Sequence, residues 1–187
     1  MTDDSLAWET RDRTVAYSCP GFDVITEDVR LPDGTETDFD YLSEPESVAI
    51  LPLTPDGSVV AIEEWRQAVG RVNLGIPVGG VEPDDTDLEA SARRELTEET
   101  GYEAERIESL CTVEPANGLA DSVTHFFVAR GCRPTAEQDL DADETIRVEE
   151  RSLESLERAA LSGELSDARP VLAIAYYRLA ESSDVGE

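Results

Sequence analysis

The chain contains no lysine: all 15 of its basic residues are arginine, set against 43 aspartates and glutamates. It has one histidine, one methionine and three cysteines in 187 residues. No apolar run approaches the roughly 18 residues that would cross a bilayer, so no membrane part is expected. Each shortage excludes something. Without a basic face there is nothing to neutralise a phosphate backbone, so nucleic acid is not expected as a partner. Cys19, Cys111 and Cys132 lie far apart and form no C-x-x-C pair. Neither a cysteine metal site nor a disulfide framework is therefore expected, and the thiols read as semi-buried groups in a reducing compartment. The opening stretch MTDDSLAWETRDR is acidic and has no apolar core. It does not read as a signal peptide, and a cytoplasmic location is expected.

What is abundant is negative charge. The formal net charge is −28, while apolar content is 40%, in line with a globular chain. Self-repulsion of this size destabilises a compact state at low salt. Screening at molar salt, where the Debye length is about 3 Å, relieves it. The composition therefore points to a halophilic organism with a salty cytoplasm, which concerns habitat rather than reaction. The length suits one domain with a sizeable core and a small N-terminal extension.

Turn and periodicity signals order the elements. Residues 22–31 and 36–43 read as strands around Leu31-Pro32-Asp33-Gly34, and 47–54 and 58–65 as a second hairpin around Pro55-Asp56-Gly57. Residues 71–79 read as a short strand entering a glycine turn. A helix is expected over 86–100, ended by Gly101. Strands follow at 107–115, 122–130 and 145–150, then helices at 152–162 and 167–182, the last capped by Ser166 or Asp167. This order indicates a mixed α/β (α+β) layered domain. We divide it into a strand extension over 1–45 and a main domain over 46–187.

The most informative stretch is Arg94-Glu95-Leu96-Thr97-Glu98-Glu99-Thr100-Gly101-Tyr102. At about 100° per residue, Glu95, Glu98 and Glu99 share one helix face. Like charges at these spacings cost a helix about 0.2–0.5 kcal/mol per pair. A hard divalent cation removes that cost and brings Lewis-acid chemistry. In so acidic a chain the bland alternative is a solvated glutamate face.

The context decides between them. The stretch resembles the Nudix box, G-x5-E-x7-R-E-U-x-E-E-x-G-U with U a bulky apolar residue, and its second half matches at Arg94, Glu95, Leu96, Glu98, Glu99, Gly101 and Tyr102. The first half departs. Strict counting puts Thr86 at the first glutamate with Gly80 as the box glycine; one inserted residue instead aligns Asp85 and Gly79. We prefer the insertion, which also matches Pro77-Val78-Gly79 to the Pro-Ala-Gly turn of one branch. Either way the first glutamate is absent as such. Residues 21–102 resemble the ADP-ribose pyrophosphatase branch.

The resemblance implies a mixed sheet sandwiched between helices, with N-terminal antiparallel strands that help build a homodimer whose substrate site is shared across the interface. It implies Mg²⁺ (or Mn²⁺) held by Glu95, Glu98 and Glu99, with a glycine-turn carbonyl near Val78. Arg94 is expected to orient the glutamates, against a plain surface ion pair. Glu144, in the acidic loop Asp141–Val148, is the expected base, with Asp143 and Glu149 as rivals. Arg66, in Trp65-Arg66-Gln67-Ala68-Val69-Gly70-Arg71, is expected to bind the diphosphate, against pairing with surface acids such as Glu63. Trp65 and His125 are read as core residues. The small-molecule substrate implied is ADP-ribose, cleaved to AMP and ribose 5-phosphate. Gly75, Asn117 and Ser122 depart from the branch pattern. They keep open a GDP-sugar, a dinucleoside polyphosphate, a nucleoside triphosphate, or a non-catalytic nucleotide-binding module.

Overall fold

A computed structural model describes residues 4–183. The first three residues of the acidic opening stretch lie outside them. The strands are β1 (Glu9–Ser18), β2 (Asp23–Arg30), β3 (Glu36–Ser43), β4 (Ser47–Leu53), β5 (Ser58–Arg66), β6 (Arg71–Gly75), β7 (Val78–Gly80), β8 (Tyr102–Glu103), β9 (Arg106–Val113), β10 (Thr124–Arg130), β11 (Arg133–Pro134) and β12 (Ile146–Ser152). The helices are α1 (Leu88–Thr100), α2 (Leu153–Ser162) and α3 (Ala168–Ser183).

The chain forms two compact units, one of residues 1–46 with 114–123, the other of 47–113 with 124–187. In the first, β1, β2 and β3 make an antiparallel sheet. β1 was not expected: Glu9–Ser18 lacks an apolar stripe, and all ten residues are exposed. It exists by pairing with β2 through two register shifts. One face carries the buried Ile25 and Val29 together with Phe39 and Tyr41, and Trp8 meets Phe39 edge-on at 5.7 Å. The other carries Asp12, Asp28 and Asp38 in register across the three strands.

The second unit is a mixed sheet in the order β12-β5-β4-β10-β9, with β4 and β10 parallel and the other pairs antiparallel. Continuous apolar runs let its central strands be buried on both faces. Val48 and Ile50 point with Val60, Phe127 and Ala129 to Ala92 and Leu96 of α1. The alternate residues Ala49, Leu51, Val59, Ala61, Phe126 and Val128 face Leu153, Leu156, Ala173 and Tyr177 of α2 and α3. Burial of each large apolar side chain contributes about 1.5–3 kcal/mol, so this sandwich carries most of the unit's stability.

The expected strand over 71–79 is in fact two. β4 and β5 pair only at Leu53–Val59 and then part. β6 continues the ladder on β5, and β7 takes the freed edge of β4. The turn between β6 and β7 therefore crosses a fork in the sheet, and α1 follows it directly. α1 starts two residues later than expected because Asp87 caps it, its carboxylate accepting the Ala90 N–H at 2.8 Å. It ends where Gly101, at φ 71°, adopts the left-handed turn that a side chain resists. No helix among the described residues is long and apolar enough to cross a membrane.

Candidate active site

The fork and α1 gather the carboxylates. Glu95 and Glu99, one turn apart, are buried on the α1 face that meets β7, while Glu98 stays partly exposed. Gly79 makes this approach possible: a Cβ there would overlap the Glu95 carboxylate. The Val78 N–H points at Glu99 Oε2 at 3.3 Å.

Arg94 is the hub of one side of the site. Nη1 donates to Glu95 Oε1 at 2.8 Å and to Glu98 Oε2 at 3.0 Å. Nη2 donates to the Gly80 carbonyl at 2.8 Å, and Nε and Nη2 grip Asp85 at 3.2 and 3.0 Å. Asp85, not Thr86, thus meets the arginine. Those hydrogen bonds hold the Asp85 carboxyl well below its usual range and raise the arginine further. A planar guanidinium is the group that can satisfy so many acceptors at once.

The other side is less well compensated. Burial pushes the Glu99 carboxyl up to about 9, with repulsion from Glu95, Glu144 and Glu64 adding to it. Burial pushes Glu95 up to about 7, against the opposing pull of Arg94. The Glu144 charge acts on Glu64, Glu95 and Glu99 alike. Its carboxylate accepts the Asp141 N–H at 3.1 Å, closing a turn at the mouth of β12. Its rivals are placed differently: Asp143 is exposed, and Glu149 is engaged by Arg151 at 2.7 Å.

Three readings need correcting, the first of them the alternative weighed for Arg66. Arg66 does not pair with Glu63, which faces Arg147; its Nη2 lies 2.7 Å from Glu64 Oε2. Trp65 is not core. It is 47% exposed beside Val72, on the strand face opposite Glu64, with its indole N–H bonded to Gln67. His125 is half-buried rather than core, and bonded to Thr112 at 2.9 Å.

Sequence reasoning missed Glu64 and the Asp167–Arg169 pair. Glu64 follows Val60 and Ile62 on one face of β5, but Val59 and Ala61 on the other face are buried as well, so the period of two did not tell Glu64 from Glu63. Arg169 opens α3, gripped by both oxygens of Asp167, and feels the charges of Glu64 and Glu99. No sequence pattern brings it to the fork, since only tertiary packing does.

Among the described residues no three acidic, histidine or cysteine side chains are already gathered tightly enough to hold an ion. The donor set nevertheless fits a hard cation. It is all oxygen, carboxylates outnumber guanidiniums, and Glu99 keeps a single long hydrogen bond.

Comparison with known proteins agrees. A model of the NUDIX domain matches residues 44–173. An ADP-ribose pyrophosphatase of Bacillus subtilis is 32% identical over 95% of this chain and 96% of its own length. A methanol dehydrogenase activator of Bacillus methanolicus is 31% identical over 83% and 84%. A solved structure of an ADP compounds hydrolase superposes with a TM-score of 0.83 over 95% of each chain, at 21% identity, which establishes the mixed α+β fold. The Arg94-centred cluster on α1 thus stands within a family that hydrolyses diphosphates, and the chain belongs to the Nudix family, as a pyrophosphate hydrolase acting on acid anhydrides.

Proposed function

We propose that the chain hydrolyses ADP-ribose to AMP and ribose 5-phosphate, with Mg²⁺ as the metal. The observation that carries the metal-dependent reading is the burial of Glu95 and Glu99 against β7 with too few donors. The full-length likeness to an ADP-ribose pyrophosphatase supports the substrate.

Glu95, Glu98 and Glu99 hold the cation, with the Val78 carbonyl beside them. Bound there, a divalent ion polarises the phosphate oxygens as a Lewis acid. Arg94 fixes the carboxylates by tying Glu95 and Glu98 to Asp85 and Gly80. Arg66 leaves Glu64 to bind a diphosphate oxygen. Glu144 takes a proton from water as the water oxygen bonds to phosphorus and the bridging P–O bond breaks, giving two monophosphates.

The first unit supports a homodimer. Among the described residues β1 leaves one edge unpaired, and Trp8, Val15, Tyr17 and Phe39 are exposed around it. The charge and the absence of lysine support work in a salt-rich cytoplasm.

The test is product analysis at molar KCl with Mg²⁺, offering ADP-ribose, GDP-mannose, diadenosine polyphosphates and nucleoside triphosphates. AMP from ADP-ribose as the preferred reaction supports the reading. Preference for another member discards the substrate and keeps the metal site, and no turnover with either Mg²⁺ or Mn²⁺ discards both.

A further inference from the structure

Glu64 is the unusual group in this unit. It is only 7% exposed, and its Oε2 is the one buried side-chain polar atom among the described residues with no hydrogen-bond partner. Arg66 Nη2 stands 2.7 Å away but off the N–H direction, so a charge faces the oxygen without a hydrogen bond reaching it. A buried, ionised carboxylate left without donors is costly. Nothing in the strand requires it: at that position on β5 the neighbours on the same face, Val60 and Ile62, are apolar.

Its surroundings show what is missing. Glu99, 2% exposed, has the Val78 N–H as its one hydrogen-bond donor, and the two buried carboxylates repel each other. Glu144 adds to the repulsion on both. The remaining arginines are committed elsewhere. Arg169 is gripped by Asp167, and Arg94 serves Asp85, Glu95 and Glu98. Arg66 is the cation in contact with Glu64, Arg169 acting on it from further off while held by Asp167, and Arg66 is also the group placed to meet an anionic substrate. When a diphosphate draws that guanidinium away, Glu64 loses its contacting counter-charge at the moment negative charge enters the site.

We propose that Glu64 is a cation ligand of this chain, sharing a divalent ion with Glu99 when Arg66 turns to the substrate. This rests on the metal-dependent reading above and adds a carboxylate from β5 to those on α1. Arg66 is then a placeholder in the free protein, and the Glu64–Arg66 pair exchanges one partner for another on binding: cation for carboxylate, phosphate for guanidinium.

The experiment is a calorimetric titration of the full chain with Mn²⁺ at molar KCl, repeated in the presence of AMP as a phosphate probe for Arg66. Glu64→Gln keeps the shape and removes the charge. Glu63→Gln removes the same charge from the neighbouring residue, which faces Arg147, and so measures the through-space effect alone. Thermal unfolding of each variant confirms that it is folded, and Glu64→Asp provides a second probe should the Gln variant not fold. We expect Glu64→Gln to weaken Mn²⁺ at least about tenfold, or to remove one ion per chain, and more so with AMP. Glu63→Gln should stay within about twofold, because the Glu63 carboxylate is already paired with Arg147 on the opposite face of β5. Equal affinity for Glu64→Gln and the unaltered chain overturns the inference, as does an equal loss in both Gln variants. An unaltered chain that binds no Mn²⁺ overturns the inference together with the metal-dependent reading on which it rests.

Discussion

The same carboxylate group is used in two opposite ways in the two units. On the first sheet, Asp12, Asp28 and Asp38 stand side by side, exposed, with water and ions to screen them. In the second, Glu64, Glu95 and Glu99 are buried at a fork in the sheet, and burial raises all three carboxyls. Net charge alone does not separate these groups, and neither does local acid density. The difference lies in what lies behind each carboxylate. Solvent lies behind the first set, so its charge is a matter of salt. A packed strand and helix lie behind the second, so its charge demands a specific partner. A chain with this composition hides its functional acids among many ordinary ones, and burial is what distinguishes them.

The comparison breaks most readily at Glu99. Glu99→Gln should lower turnover about 10²–10³-fold, the usual loss when an electrostatic contact to the reacting charge is removed, while Asp28→Asn should leave turnover unchanged. Steady-state rates on ADP-ribose measure both, and equal losses would erase the distinction. Arg94→Ala should come next. It strips donors from Asp85, Glu95 and Glu98 together, and should cost about 1.5–3 kcal/mol in urea unfolding, the usual worth of hydrogen bonds to charged groups. Arg94→Lys should recover little of it, since an ammonium cannot grip both Asp85 oxygens and the two glutamates.

Acidity sharpens the contrast further. Glu95 and Glu99 have carboxyls raised in the folded state to about 7 and about 9. Between the ordinary carboxylate range, near pH 4.5, and pH 9 the folded protein therefore holds protons that the unfolded chain has released. Their contribution to stability is full below that window and is lost as pH rises through it. Cation-free protein should show a falling unfolding midpoint from about pH 5 to pH 9, steeper than that of a Glu95→Gln, Glu99→Gln double variant. Added Mg²⁺ should stabilise more at pH 8 than at pH 6, because a ligating carboxylate must be ionised. The smallest effect belongs to the first sheet. Replacing Asp28 by Asn relieves two cross-strand repulsions of about 0.2–1 kcal/mol each at low salt. The gain should fade at molar KCl, as a melting series against salt will show.

The layered core was legible because its strands are continuous apolar runs between Asp-Gly turns, and α1 because its glutamates share one face and Gly101 ends it, while its Asp87 cap was not read. β1 was not, since Glu9–Ser18 draws its structure from the edge of β2 and not from any pattern of its own. The α1 acids were visible as a spacing. Glu64 was hidden because two consecutive glutamates, Glu63 and Glu64, look alike in sequence, and only the sheet sends one outward and one inward. Trp65 misled for the same reason: an aromatic at a strand end suggests core, but the sheet sets it on the face opposite Glu64, exposed beside Val72.

The loop of residues 81–86 shows where this chain is free to change length. Through the fork, every residue of β6 and β7 is counted by a ladder, so adding or removing one would carry Gly79 off Glu95 and turn alternate side chains over. The loop after β7 has no such count. It is closed instead by Asp85, which binds the Glu82 N–H at 2.9 Å and hooks Arg94 with the same carboxylate. A loop tied at one movable clasp tolerates an extra residue, provided the clasp still reaches. Engineers seeking to splice a reporter or a second ligand site beside this centre have their opening there, upstream of Asp85, and nowhere within the fork.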